Sequence, residues 1–491
     1  MSRLRAAGIA LGVARVGGAG AAAPPRPPAV DGRAAAPGVV IHVHSLSNVP
    51  DMDPLLGGGD AASDVYLTLK LLTADGDGDA PFGPAQTTTV FHDARNAVFG
   101  ECFHTFRALA TGLDGARLRV RAYDEDRLSR DDAIAHLDID LADLATAPAT
   151  DDPAASTAAH ASPFSRTERV FQTRRMEMDT KRRGAKADEP VLICLRLVPE
   201  EELAASSLKK RFFFIRHGES LWNEAQGERN VLGLLHFDHG LSRTGIDQCR
   251  ALNVAWREAD ADALTPLEKE FIRCPIVMCS PLTRCVQTAL LALHSHETLR
   301  KNGVVLQRNL REVKSTLGSL DTVGVEVGAQ NIKQRAKECL LKECHGSNHA
   351  TPPPLTEADI RARVDPVELR SNDVASKGWT PRGRYESEGS LRARTRALMG
   401  TLRHLPARSA ILVGHSLLFR ELLRSCLLDY CWVGAEEGGP ETCTREDLAA
   451  RKVGYAAVVA VDVTFQALPE EDNGFEILRV RFLFGSGLAK E

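Results

Sequence analysis

Aromatic residues are scarce: Phe, Trp and Tyr make up 5% of the 491 residues, which thins the usual anchors of cores and interfaces. The chain has no uninterrupted apolar run of ~18 residues, so no transmembrane helix is predicted. Neither sign of charge dominates. Lys and Arg number 61 against 65 Asp and Glu, a formal net charge of −4, which excludes a dedicated nucleic-acid coat and confines any polyanion binding to a local cluster. The 11 cysteines are odd in number and scattered, which argues against a disulfide framework and for a reducing, intracellular setting. Cys339, Cys344, His345 and His349 bring soft ligands close together, but their spacing is not that of a standard zinc site, and buried or idle thiols are expected.

A hydrophobic content of 43% suffices for ordinary cores, and the length predicts about three units. Residues 1–37 form a leader with Arg3, Arg5, Arg15 and Arg26 and no acid before Asp31, a pattern shared by organellar targeting segments and by Ala/Gly/Pro low complexity. Without targeting, the expected location is cytoplasmic or peripheral to a membrane. From 38 to 199, short β-rich segments (Val39–Val43, Val65–Leu71, Thr87–Phe91, Cys102–Phe106, Arg117–Tyr123 and Val191–Leu197) alternate with Asp- and Gly-rich loops. That spacing predicts an antiparallel sandwich. A charged linker, 200–210, leads into a second domain, 211–491.

In this second domain, compact apolar runs end in polar clusters. Phe212–Ile215 leads to Arg216-His217-Gly218, Ile276–Cys279 to Ser280-Pro281, and Ala410–Val413 to Gly414-His415-Ser416. Continuous apolar runs fit strands buried on both faces of a parallel sheet, whose ligands bind at the carboxyl ends of the strands. The clusters supply Arg216, Arg284, His217, His415 and a helix start near Thr283, all suited to a phosphate. A neutral imidazole there could attack phosphorus, with neighbouring guanidinium charge keeping it unprotonated; a second imidazole, if protonated, could donate to the phosphoryl oxygens.

RHGESLWN at Arg216–Asn223, LSRTG at Leu241–Gly245, SPLTRCVQTA at Ser280–Ala289 and VGHS at Val413–Ser416 together resemble the histidine phosphatase, or phosphoglycerate-mutase-like, superfamily. The resemblance implies a three-layer α/β fold and a phosphohistidine on His217. It also implies phosphate binding by Arg216, Asn223, Arg284 and His415, and catalysis without a cofactor. Glu312, in Leu310-Arg311-Glu312, stands where many relatives carry a Leu-x-Glu, and is the candidate proton donor to the leaving oxygen. Glu386 and Arg394 are read as structural. An insertion at about 313–385 is expected to cap the pocket and set specificity. The Gly-Trp-containing segment that mutases place after the nucleophile is missing, so the expected activity is a phosphomonoester phosphatase acting on an unidentified phosphorylated substrate. The alternatives are a phosphoglycerate-type mutase and a non-catalytic, calcium-responsive adaptor.

In the sandwich, Tyr123–Leu141, Ser63–Leu69 and Ala94–Phe106 resemble a C2 domain in its permuted topology. The resemblance implies Ca2+ ligands at Asp64, Asp124, Asp126 and Asp132, with Asp53 or Asp51 from the first loop, since hard cations take clustered carboxylates. Calcium would neutralise those loops and favour docking on anionic membrane lipid, with the basic clusters Arg174-Arg175 and Lys181-Arg182-Arg183 assisting.

Overall fold

A computed structural model describes residues 39–50, 63–75, 78–82, 85–88, 90–91, 95–104, 113–125, 131–145, 155–161, 168–179, 189–198, 209–260, 262–314, 320–344, 355–371, 374, 379, 386–403, 405, 407–433, 444–465 and 475–489. The leader, Asp51, Asp53, Asp126, His345, His349 and Lys181-Arg182-Arg183 lie outside them.

The N-terminal domain is a sandwich of two antiparallel sheets. One runs, edge to edge, Ala97–His104, Val40–Ser47, Leu192–Leu197, Glu168–Arg175 and Ala155–Ala161. The other runs Glu177–Met178, Asp132–Asp140, Ala116–Asp124, Val65–Asp75 and Gly78–Pro81, with Gln86–Thr87 also paired to Val65–Asp75. Alternation drives the layering: Leu67, Leu69 and Leu71 point inward with Leu118, Val120 and Ala122 of the adjacent strand, while intervening residues face out. Phe91 and Phe99 meet edge to face in this core with centroids 5.3 Å apart.

Five strands of the sandwich escape the sequence reading, the short Gly78–Pro81 and Glu177–Met178 among them. Asp132–Asp140 (DAIAHLDID) looks like a carboxylate loop, yet it is a strand whose Asp138 takes a forked bond from Arg119 of its neighbour at 2.8 and 2.6 Å. Ala155–Ala161 and Glu168–Arg175 form a hairpin whose composition, rich in Ala or charge, carries little β signal. The expected strand Thr87–Phe91 reduces to Gln86–Thr87 and a single bridge from Phe91 to Val65.

The C-terminal domain is built on an eight-stranded sheet in the order Leu369–Arg370, Val304–Leu306, Val277–Cys279, Ser409–Gly414, Lys209–Arg216, Val458–Phe465, Phe475–Leu483 and Leu427–Val433. The first five are mutually parallel, as expected. The sheet as a whole is mixed rather than parallel, because Val458–Phe465 runs antiparallel to both of its neighbours. The run Phe212–Ile215 shows why its strand is central. Phe213 and Ile215 enter the core on one face of the sheet, and Phe212 and Phe214 enter the core on the other. Registers Arg216↔Gly414 and Cys279↔Val413 align the carboxyl ends of three strands and bring the three polar clusters together.

The described part of the insertion is integrated into the domain. Helix Ala329–Cys344 packs on helix Thr283–Ala292 through Ile332, Ala336 and Leu340. Leu369–Arg370 extends the sheet, and the buried Trp379 donates its indole N–H to the Glu326 carbonyl at 2.9 Å.

Residues 34–491 form one compact unit. Within it, helix Glu388–Arg403 packs against the sandwich strand Ala97–His104, and the Arg308 guanidinium lies 3.7 Å over the Phe91 ring.

Two glycines let the loop that carries His217 and a helix start approach each other. A Cβ on Gly245 would lie 1.9 Å from the Glu219 carbonyl oxygen, and one on Gly218 would lie 2.6 Å from the Gly245 oxygen. Gly245→Ala is therefore expected to destabilise by ~3 kcal/mol through overpacking against backbone. Gly389→Ala, in a helix with open space around it, should instead stabilise slightly. Urea titration of both variants checks the opposite signs.

Candidate active site

His217 leaves the end of strand Lys209–Arg216 fully enclosed. Its Nδ1 lies 2.6 Å from the Gly218 carbonyl oxygen, so Nδ1–H donates there and the lone pair is left on Nε2. That lone pair accepts from Arg284 Nε at 3.3 Å. Burial first, then the Arg284 and Arg216 charges, hold the imidazole well below its ordinary pKa, so it is neutral at neutral pH.

Arg284 is buried at the start of helix Thr283–Ala292. It donates to the Asp321 carbonyl at 2.7 Å and pairs with the Asp321 carboxylate at 3.3 Å. Arg216 is held differently. Its guanidinium lies 3.8 Å over the Tyr455 ring and donates to the Val453 carbonyl at 2.7 Å, and no carboxylate among the described residues ion-pairs with it.

The helix start itself is not open to an anion in the way expected. Asp238 accepts from the Thr283 N–H and hydroxyl, both at 2.8 Å, so an internal carboxylate caps the first turn. Arg335 lies 3.4 Å from the same carboxylate.

His415 sits 5.1 Å from His217, centroid to centroid. Its Nε2 contacts Ser280 Oγ at 2.9 Å and the Cys285 thiol at 3.2 Å. Burial, followed by Arg284 and His217, keeps it well below its usual pKa, so it is neutral rather than protonated. A phosphoryl dianion would shift that balance toward the imidazolium.

Glu312 is buried beside this group. Its carboxylate accepts from the Val313 N–H at 2.9 Å and from Leu418 and Leu417, at the start of helix Ser416–Cys426, at 3.2 and 3.4 Å. Burial dominates and raises its pKa, favouring the proton-carrying form. Glu386 and Arg394 support it from behind. Arg394 takes Glu386 in a two-pronged pair, 2.7 Å on each arm, and donates to the Asn309 and Arg311 carbonyls, both at 2.9 Å. This fixes the turn that carries Glu312.

Asn223 is engaged in a capping box, its Oδ1 accepting from the Ser220 N–H at 3.2 Å and hydroxyl at 2.8 Å. Only its amide N–H groups have the polarity to face a phosphate. Asp321, Tyr455 and Asp238 escape the sequence reading. None lies in a pattern that marks it, and each reaches the site only through the fold. Burial pushes the Cys249 and Cys274 thiols up to about 12, in keeping with idle thiols.

In the sandwich, Asp64, Asp124 and Asp132 meet at one end of a sheet. Asp124 pairs in register with Val65 on one side and Asp132 on the other. The Asp64 N–H donates to Asp124 Oδ1 at 2.7 Å. Among the described residues no group of three or more His, Cys, Asp or Glu is arranged to hold a metal ion. Also among them, no helix is long and apolar enough to cross a membrane.

Fold and site together define a phosphate-handling α/β domain with a buried histidine at its centre, preceded by a β-sandwich with an acidic end. Residues 212–367 match the histidine phosphatase superfamily (branch 1), and residues 38–154 match the C2 domain. The chain thus joins an N-terminal C2 domain to a histidine phosphatase domain. Among solved structures, it is similar to phosphoglycerate mutase from Bacillus anthracis (14% identity, 56% of this chain and 93% of that one, TM-score 0.28). It is similar to ecdysone phosphate phosphatase from Bombix mori (15% identity, 54% and 95%, TM-score 0.27) and to a C2 domain of a plant extended synaptotagmin 1 (16%, 34% and 98%, TM-score 0.21). No curated protein matches the chain.

The Glu386–Arg394 pair yields a prediction. Burial alone would raise the Glu386 pKa, but Arg394 and Arg311 override it and hold the carboxylate below its ordinary 4.5. Its contribution to stability is therefore complete above that value and is lost as pH falls through the depressed one. Arg394→Met, which strands a buried carboxylate, should cost ~3–5 kcal/mol at neutral pH. Urea titrations at pH 7 and pH 4 should show the deficit shrinking at the lower pH.

Proposed function

We propose that the chain is a phosphomonoester phosphatase acting through a phosphohistidine on His217. The observation that carries this reading is the His217 ring itself: Nδ1 fixed on the Gly218 carbonyl, Nε2 directed at Arg284, and the imidazole held neutral by burial and cation. Nε2 attacks phosphorus, and the phosphorus–oxygen ester bond breaks with its electron pair on the leaving oxygen. Glu312 supplies the proton that oxygen takes. Water then attacks the phosphohistidine and returns a proton to Glu312. The phosphorus–nitrogen bond breaks to release inorganic phosphate and neutral His217. Arg216, Arg284 and Asn223 hold the phosphoryl oxygens, and His415 donates once the dianion has raised its pKa. A mutase would pass the phosphoryl group to a second hydroxyl, so phosphate release without an acceptor distinguishes the two.

His217→Ala should lower turnover of p-nitrophenyl phosphate by ~10³-fold or more and abolish an acid-labile phosphoenzyme. Turnover surviving that change would overturn the nucleophile assignment. Because Glu312 must carry a proton, kcat/KM should fall as pH rises through its raised pKa. Glu312→Gln should cost far more with alkyl phosphates than with p-nitrophenyl phosphate, whose leaving group needs no acid.

For the N-terminal domain the reading is calcium-dependent docking on anionic lipid, with Asp53, Asp64, Asp124, Asp126 and Asp132 as ligands. The placement of Asp64, Asp124 and Asp132 near one sheet end is what supports it, although these three alone do not form a metal-holding group. Asp124→Asn keeps an acceptor for the Asp64 N–H while removing charge. Combined with Asp126→Asn, it should abolish calcium-dependent sedimentation with phosphatidylserine vesicles; unchanged sedimentation would retire the reading.

A further inference from the structure

Large apolar side chains exposed on the described surface are few, and they cluster. Val231, Leu232, Leu235 and Phe237 are 68, 76, 57 and 47% exposed, and Val325 is 43% exposed; only Val254, on a different helix, stands apart. Four of the five lie on the loop that follows helix Leu221–Gly227, and the fifth lies just after the turn Leu320–Thr322. These two segments pack against each other, the turn Gly233–Leu235 on Leu320–Thr322. Both bear on Arg284. Asp321, in the second, takes Arg284 with its carbonyl and its carboxylate, and Asp238, which ends the first, caps the helix that carries Arg284.

The apolar loop is firmly tied from beneath. His239 Nε2 bonds the Gly233 carbonyl at 2.8 Å, Asn230 Oδ1 accepts from the Gly233 N–H at 3.1 Å, and Arg335 donates to the Phe237 and Asp238 carbonyls, both at 3.2 Å. A loop whose backbone is fixed while its largest apolar side chains stand in solvent is pre-organised to bury them against something.

We propose that this something is the leaving group of the substrate: the pocket serves phosphomonoesters of a bulky apolar alcohol, with Val231, Leu232, Leu235, Phe237 and Val325 forming the wall that receives the alcohol. The proposal rests on the phosphatase reading above and adds its substrate class. The two segments that orient Arg284 on the phosphate are the same two that present the apolar wall. Phosphate and leaving group would therefore be addressed by one structural unit. A small polar ester, such as a phosphorylated triol, would leave the wall wet and gain nothing from it.

The test uses the full chain and n-alkyl phosphates from ethyl to octyl, kept below their micellar concentrations. These share one leaving-group acidity and differ only in apolar size. The proposal expects kcat/KM to rise by ~2–4-fold per methylene over several carbons. The double variant Leu232→Ser with Phe237→Ser should collapse the octyl-to-ethyl ratio. Both residues are exposed, so folding is not at stake, and thermal unfolding verifies that. A flat series with measurable ethyl phosphate hydrolysis overturns this inference and leaves the phosphatase reading standing. No hydrolysis of any ester, and no phosphoenzyme, overturns both. A flat series together with loss of vesicle binding in the double variant would assign the loop to a membrane surface and also overturn it.

Discussion

Buried positive charge is the constraint from which the rest of the catalytic domain follows. Arg216, at the end of strand Lys209–Arg216, and Arg284, in the first turn of helix Thr283–Ala292, are both enclosed, and only Asp321 ion-pairs with either of them among the described residues. Burying cations so sparsely balanced is expensive in a low-dielectric interior. The surroundings are arranged around that cost. Both imidazoles give up their protons, Arg216 rests on the face of Tyr455, and backbone carbonyls at Val453 and Asp321 take the guanidinium N–H groups. Under the proposed function, a phosphoryl group would bring the negative charge that these cations accept.

A second layer sets the position of that charge. The buried Glu386–Arg394 pair is silent in chemistry, yet it grips the carbonyls on either side of Leu310 and so aims Glu312. Gly218 and Gly245 act by what they omit, since any side chain would drive the loop that carries His217 away from the following helix. Precision at the reacting atoms is thus supplied by groups that never touch them.

Much of this is legible in the sequence, and for a definite reason. Strands buried on both faces need unbroken apolar runs, and their carboxyl ends are where polar chemistry collects, so Arg216, His217, Ser280 and His415 announce themselves locally. Asp321, Asp238 and Tyr455 do not. Their roles depend on contacts made across tens to hundreds of residues, and each looks like an ordinary loop residue in its own neighbourhood. The antiparallel strand Val458–Phe465 is hidden because a both-face apolar run gives no sign of its direction. In the sandwich, Asp132–Asp140 misleads because acidic residues that read as a loop stand on the outward face of a strand and are paired across it with arginine.

The stacking of Arg308 on Phe91 bears on how such a chain can change over time. Phe91 belongs to the sandwich core, and Arg308 lies on the turn that leads to Glu312. Cutting the chain between the domains would strip an aromatic cover from a guanidinium and uncover the helix Glu388–Arg403 where strand Ala97–His104 now lies. The two domains are therefore poor candidates for free exchange with other partners. A lineage that swapped the sandwich for another module would have to rebuild the surface beneath Glu312 at the same step, which ties the inheritance of one domain to the other.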